Sequence, residues 1–157
     1  MGALPTPSQP LSDVYPSKEE GNKTFEVLSA DSPDGRYKLV FDGYQYVGEE
    51  DGEVSTGGEP DSAPLLLDLR QGASTRLAEC GTVCGFHWGT WVTPSRFVLA
   101  GWTDADASAT RRQGTLRIYS IADSTATFYL TREVSSEEFS KYQAAWEAWV
   151  AERYITR

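Results

Sequence analysis

Cysteine, histidine and methionine are scarce in this chain, with two Cys, one His and one Met among 157 residues. A single histidine, His87, leaves no second imidazole for a tetrahedral zinc site. Any serine- or cysteine-based hydrolase would have to use it as the base. Basic residues are outnumbered, 14 Lys plus Arg standing against 23 Asp plus Glu for a net charge of −9. Affinity for phosphate backbones and anionic lipid comes largely from Lys and Arg displacing counterions. Nucleic acid is therefore disfavoured, and a basic protein or a cation is the partner the field favours. Long apolar runs are missing too. The longest, Phe97 to Trp102 and Ala63 to Leu67, are strand-sized, whereas a membrane span needs roughly 20 residues. No basic-then-apolar leader follows Met1. No glycine-rich phosphate loop or nucleotide fingerprint occurs, so no cofactor is expected.

What is present argues for a folded chain. The 39% hydrophobic and 12% aromatic content supplies the apolar mass that disordered chains lack. The length suits one domain with its own core. Residues 2–20 are different, carrying four prolines and little apolar mass. They lead to a division into a flexible Pro/Ser-rich tether over 1–22 and a single β-rich domain over 23–157. Such a tether fits a periplasmic or extracellular protein, lipid-anchored in one version, whose signal has been replaced by an initiator Met. A native cytoplasmic N-terminus is the alternative.

Alternating apolar and polar residues mark strands. Thr24 to Leu28 sets Phe25 and Val27 on one face, and Arg36 to Phe41 does so with Tyr37, Leu39 and Phe41. Between them Ser32-Pro33-Asp34-Gly35 is a turn, Pro presetting φ and Gly supplying its positive value. Residues 48–62 read as a long acidic loop without apolar anchors. Pro64 to Leu69 is nearly all apolar, as a strand covered on both faces is. Gln71-Gly72 then turns the chain into a strand from Ser74 to Leu77. The pattern recurs through Thr82 to Trp88, a turn at Thr93-Pro94-Ser95, and Arg96 to Trp102 with Phe97, Leu99 and Gly101 on one face. A polar loop, Thr103 to Gln113, precedes Thr115 to Ile121, a turn at Ala122-Asp123-Ser124, and Thr125 to Leu130. Two four-stranded antiparallel units are expected. After them Ser135 stands three before Glu138, the spacing of a capping box. Phe139, Tyr142, Trp146, Trp149, Val150 and Arg153 follow at intervals of helical period, predicting an amphipathic helix over 136–154.

The runs SPDGRYKLVF, PLLLDLRQGASTRL and GFHWGTWVTPSRFVLAGW resemble the blades of TolB-like and WD40-like β-propellers. Those blades carry a W-S-P-D-G-R turn between their first two strands and a D-L-x-x-G turn between their last two. The first unit matches both turns without a Trp before Ser32; the second keeps Trp88 but has Thr93-Pro94-Ser95 for S-P-D-G. The resemblance covers about residues 23–131 and implies four-stranded antiparallel sheets rather than one function. A closed propeller needs about 4–8 blades, and only two units are present. The expected fold is mainly β, two blade-like sheets packed as a sandwich or partial propeller and closed by the C-terminal helix. A ring completed by several chains is the other outcome.

Candidate sites are few. Cys80 and Cys84 are spaced for a disulfide pinching a short turn in an exported protein, two free thiols in a cytoplasmic one being the alternative; with His87 and carboxylates they are also an incomplete zinc set. Asp104, Asp106 and Ser108 set oxygens at alternate positions as calcium loops do, but Ala109 and Thr115 stand where such loops need Gly and Glu. Glu49, Glu50, Asp51, Glu53, Glu59 and Asp61 offer an acidic surface to a basic partner, as do Asp104 and Asp106. Trp91, next to a turn, is the tryptophan expected at the surface. These features point to a non-catalytic protein-binding or assembly module, with a homo-oligomer as one form. An acidic inhibitor or immunity protein that neutralises a basic enzyme is the second reading, and a hydrolase using His87 the third.

Overall fold

A computed structural model of the chain describes residues 2–3, 9–10, 26–58 and 60–156. In chain order the strands are β1 (Gly2–Ala3), β2 (Gln9–Pro10), β3 (Ser29–Asp31), β4 (Tyr37–Val40), β5 (Gln45–Glu50) and β6 (Glu53–Gly58). Then come β7 (Leu65–Asp68), β8 (Ala73–Arg76), β9 (Cys84–Thr93), β10 (Arg96–Asp104), β11 (Arg111–Ser120) and β12 (Thr125–Ser135), followed by helix α1 (Ser136–Ile155). The fold is mainly β, with two four-stranded antiparallel sheets: sheet B in the order β8-β7-β4-β3 and sheet A in the order β12-β11-β10-β9. Two-residue strands lengthen each, β2 beside β8 and β1 beside β12. The rest of the predicted tether lies outside the described residues.

The turn chemistry sets the registers. Ser32 Oγ accepts the Tyr37 N–H at 2.9 Å and donates to Asp34 at 2.7 Å, while Gly35 takes φ +65°. Asp68 accepts the Arg70 and Gln71 N–H groups, each at 3.0 Å, so its carboxylate folds the β7–β8 turn around Gly72. The first strand differs from the expectation. Glu26 and Val27 form a helical turn and β3 begins only at Ser29, because β3 is as long as the stretch of β4 it pairs with, Ser29↔Val40 to Asp31↔Lys38.

Residues 48–62 also differ. They hold most of an antiparallel hairpin, β5 against β6, turned at Asp51-Gly52 where both φ angles are positive, 52° and 82°. Such a pair matches the right-handed twist of the strands it joins. The anchors are Val47, buried, and Val54, packed against the same core.

The two sheets share that core. Sheet B turns Tyr37, Leu39, Phe41 and Leu66 toward Phe97, Leu99 and Tyr119 of sheet A. Gly89 marks how close they come: a Cβ there would lie 2.8 Å from Leu39 Cδ2 and 3.0 Å from the Phe41 ring. The opposite face of sheet B is buried as well, with Val40, Leu65 and Leu67 shielded from solvent. Asp42, buried and held above the usual carboxylate pKa by that burial, ties the end of β4 to the segment before β7. It accepts from the Ser62 hydroxyl and, at 3.1 Å, from the Ala63 N–H. Cys80 and Cys84 are bonded across a Cα separation of 6.0 Å, at the start of β9.

Helix α1 is as the spacing predicts. Ser135 accepts the Glu138 N–H, Glu138 returns a bond to the Ser135 N–H, and Glu137 and Glu138 sit where the helix dipole favours carboxylates. Phe139, Trp146 and Val150 are buried, and Arg153 reaches the Ser29 carbonyl at 3.1 Å. The helix thus runs from the outer side of sheet A to the edge of sheet B. No described helix is long and apolar enough to cross a membrane.

Candidate functional site

Sheet A has a second face, and its middle is apolar. Register places Trp88, Ala100, Leu116 and Tyr129 in one cross-strand row, with Thr90, Val98, Ile118 and Thr127 in the next. Trp88 is 42% and Tyr129 51% exposed, and the residues between them are half-buried. No charged side chain belongs to either row. Sheet B packs against the opposite face, so among the described residues only the start of α1 shields this one.

Where the helix meets the sheet, a β-bulge sets the geometry. Ala100 pairs with Trp88 but Gly101 with Phe86, which leaves His87 as the extra residue and re-aims its side chain. Glycines permit the crowding beside it. A Cβ on Gly101 would fall 2.1 Å from the Gly85 carbonyl oxygen, and one on Gly85 2.6 Å from the Trp102 indole nitrogen. His87, 6% exposed, is stacked on Trp146 at 4.3 Å between ring centroids and on Tyr142 at 5.6 Å.

Its protonation follows from its partners. The Trp102 indole can only donate, and its Nε1 points at His87 Nε2 at 3.4 Å. The imidazole proton is therefore on Nδ1, which donates to the Tyr142 hydroxyl oxygen at 3.1 Å. Burial lowers the His87 pKa to about 4, so the ring is neutral at pH 7. The Tyr142 hydroxyl keeps its own hydrogen to donate elsewhere. Among the described residues its side-chain hydrogen-bond partners are Tyr142 and Trp102, with no serine, threonine or cysteine side chain among them.

Two hollows flank this cluster. The larger, about 400 Å³, lies between α1 and the outer face of sheet A, floored by Ala100, Gly114 and Leu116 and walled by Trp102, Phe139 and Tyr142. The Arg112 guanidinium lies 4.5 Å from the Trp102 ring centroid and 4.1 Å from that of Phe139, and its Nε donates to Asp104 at 3.1 Å. The smaller hollow, about 240 Å³ and more polar, opens between His87, Trp146 and the β6 residues Thr56 to Gly58.

The residues singled out by sequence fall elsewhere. Glu49, Asp51 and Glu53 are exposed on the β5–β6 hairpin, and Asp61 is exposed before β7. The Glu50 side chain and Glu59 lie outside the described residues. Asp104 is taken up by Arg112. Asp106 accepts from the Thr110 hydroxyl at 2.8 Å and from the Thr110 N–H, Ser108 and Arg111, and these bonds lower its pKa to about 2. Its oxygens are thus turned inward within the loop, and Ser108 serves as its donor rather than as a free ligand. Among the described residues no group of three or more His, Cys, Asp or Glu is placed to hold a metal.

Trp91 requires a correction. It is half-buried, packs against Tyr37 and Phe97, and donates to the Ala30 carbonyl at 2.9 Å. Trp88 is the exposed tryptophan instead, because alternation along β9 sends the two to opposite faces. The outer face itself had a sequence signal: Phe97 to Trp102 is apolar at both strand parities, which a sheet with one wetted face would not be.

Comparison with known proteins yields no matching family model, no matching curated protein and no matching solved structure. The class this architecture defines is a mainly β protein of two four-stranded antiparallel sheets and a separate two-stranded hairpin, with one C-terminal helix and a disulfide.

Proposed function

We propose that this chain is a non-catalytic protein-binding module that docks through the outer face of sheet A. The observation that carries this reading is the charge-free double row from Trp88 and Thr90 across to Tyr129 and Thr127, left open beside an apolar hollow. Monomeric proteins seldom expose a contiguous apolar patch without using it. His87, buried and engaged by two aromatic partners, supports a positioning role for the imidazole rather than a catalytic one. The Cys80–Cys84 bond supports an exported protein, since such bonds persist in oxidising compartments.

A second reading has its own observation. Glu49, Asp51 and Glu53 project from a tightly turned hairpin, and none pairs with a Lys or Arg among the described residues. That supports capture of a basic protein by charge, which would slow sharply as salt rises.

The test is a photo-reactive residue at position 129, compared with one at position 51 in the hairpin turn. The docking reading expects a discrete covalent adduct through 129 in the native host. An adduct through 51 alone favours the acidic-capture reading, and none at either position overturns both.

A further inference from the structure

We infer that His87 is a proton-operated latch on α1: a second proton on its ring lets the helix lift from the outer side of sheet A while the two sheets stay joined. Both ring nitrogens are committed. Nδ1 donates to the Tyr142 hydroxyl oxygen at 3.1 Å, and Nε2 accepts from the Trp102 indole at 3.4 Å. A second proton has only Nε2 to go to, where it meets an N–H that cannot accept it. Two donors would then face each other, and the bond to Trp102 is lost.

Among the described residues no carboxylate hydrogen-bonds the ring to balance an imidazolium. Glu147 of α1 lines the smaller hollow beside it but accepts from Gln143 at 3.2 Å, and Glu138 is held by Arg132 and the Ser135 N–H. Beyond Trp102 stands Arg112, a cation already paired with Asp104. To the same smaller hollow β5 and β6 bring Gln45, Thr56, Gly57 and Gly58, none of them charged. The Trp146 ring face attracts a cation, but burial outweighs it and holds the His87 pKa down at about 4.

The latch acts on α1 because two of the bonds that hold the helix end on this residue. Trp146 donates to the His87 carbonyl at 2.9 Å and Tyr142 meets the ring, both side chains stacking on it. The sheets grip each other elsewhere, through Leu39, Phe41, Phe97 and Leu99. Lifting α1 removes the Phe139 and Tyr142 walls of the larger hollow and bares Trp102, beside Ala100 and Leu116 of the outer-face row. The open apolar area of sheet A thus widens in acid, whether or not a partner occupies it.

A ring that titrates near 6.5 when released and at about 4 when latched keeps α1 down above pH 6.5 and frees it as pH falls toward 4. Between pH 7 and pH 5 the ratio of latched to lifted helix should fall about twentyfold. His87 is the only histidine, so its imidazole gives one set of NMR signals. At pH 7 a long-range nitrogen–proton spectrum of the full chain should place the proton on Nδ1. Hydrogen exchange read by mass spectrometry, corrected for the intrinsic effect of pH, then compares α1 with β10 and β11 at pH 7 and pH 5. Because the helix lifts without the sheets, its protection should lie below that of the strands at pH 7. By pH 5 it should have fallen about twentyfold more.

His87→Phe keeps a flat ring but takes no proton, and its α1 should hold the same protection at both pH values. Where that variant fails to fold, Trp102→Phe removes the donor facing Nε2. Its imidazole should titrate at higher pH than the parent's, and α1 should loosen less. A proton on Nε2 at pH 7, or α1 and strands equally protected, overturns the latch. So does α1 protection that ignores pH in the parent, acid loosening that persists in His87→Phe, or a Trp102→Phe ring that titrates where the parent's does.

Discussion

The Trp146 indole N–H donates to the main-chain carbonyl of His87 at 2.9 Å while its ring lies over the His87 imidazole, 4.3 Å between centroids. One helix residue thus grips both the backbone and the side chain of a bulged strand residue 59 positions away. Docking of α1 depends on a ring that must stay neutral.

Stability should therefore fall in mild acid. The folded pKa of His87 is lowered from 6.5 to about 4 by burial, so between those values the unfolded chain takes up a proton that the folded chain refuses. The stability conferred by the neutral ring is complete above pH 6.5 and is lost as pH falls to about 4. The shift corresponds to about 3 kcal/mol. Urea unfolding at pH 7, 5.5 and 4.5 should show the parent losing ground to His87→Phe, which carries no titrating ring. A constant difference between the two across that range would refute the assignment.

Gly89→Ala tests the contact between the sheets. The new methyl would meet Leu39 at 2.8 Å and Phe41 at 3.0 Å in a packed core. A destabilisation of about 1–3 kcal/mol is expected, with an altered near-ultraviolet dichroism from the neighbouring aromatic residues. Denaturant unfolding that matches the parent would mean that the sheets do not approach as described.

Removing the disulfide should cost about 2 kcal/mol. That figure is the loop-closure entropy for a bond spanning so few residues, four apart in sequence. The double variant Cys80→Ser, Cys84→Ser should unfold at lower urea, and the parent treated with reductant should match it.

The helix cap offers a smaller effect. Ser135→Ala removes the acceptor of the Glu138 N–H and half of the capping box, which costs about 1 kcal/mol. Thermal melting followed at 222 nm would report it as a lowered midpoint. Ser140→Ala, whose hydroxyl only returns to the Ser136 carbonyl within the helix, serves as the control and should change little.

Much of the architecture was legible because its signals are local. Ser32-Pro33-Asp34-Gly35 bonds within itself, Asp68 folds its own turn, and Ser135 with Glu138 caps its own helix. The hairpin in 48–62 was missed although Asp51-Gly52 is a strong turn pair, because its flanking strands carry only Val47 and Val54 as anchors among acidic and small residues. Trp91 was misplaced because the longer reach of β9, from Cys84 to Thr93, carries it past the predicted end of that strand.

By itself, the amino-acid order determined two antiparallel four-stranded units, a capped terminal helix, and two cysteines close enough to join. Each rests on dihedral preferences and hydrogen bonds among residues a few positions apart. Only the tertiary structure decided which face of sheet A sheet B would cover, that a bulge would turn His87 beneath Trp146, and that Trp88 and Tyr129 would remain at the surface. Alternation along a strand separates two faces without saying which one meets another element. That choice is made by close packing between segments distant in sequence, where a single absent side chain, as at Gly89, sets how near they come.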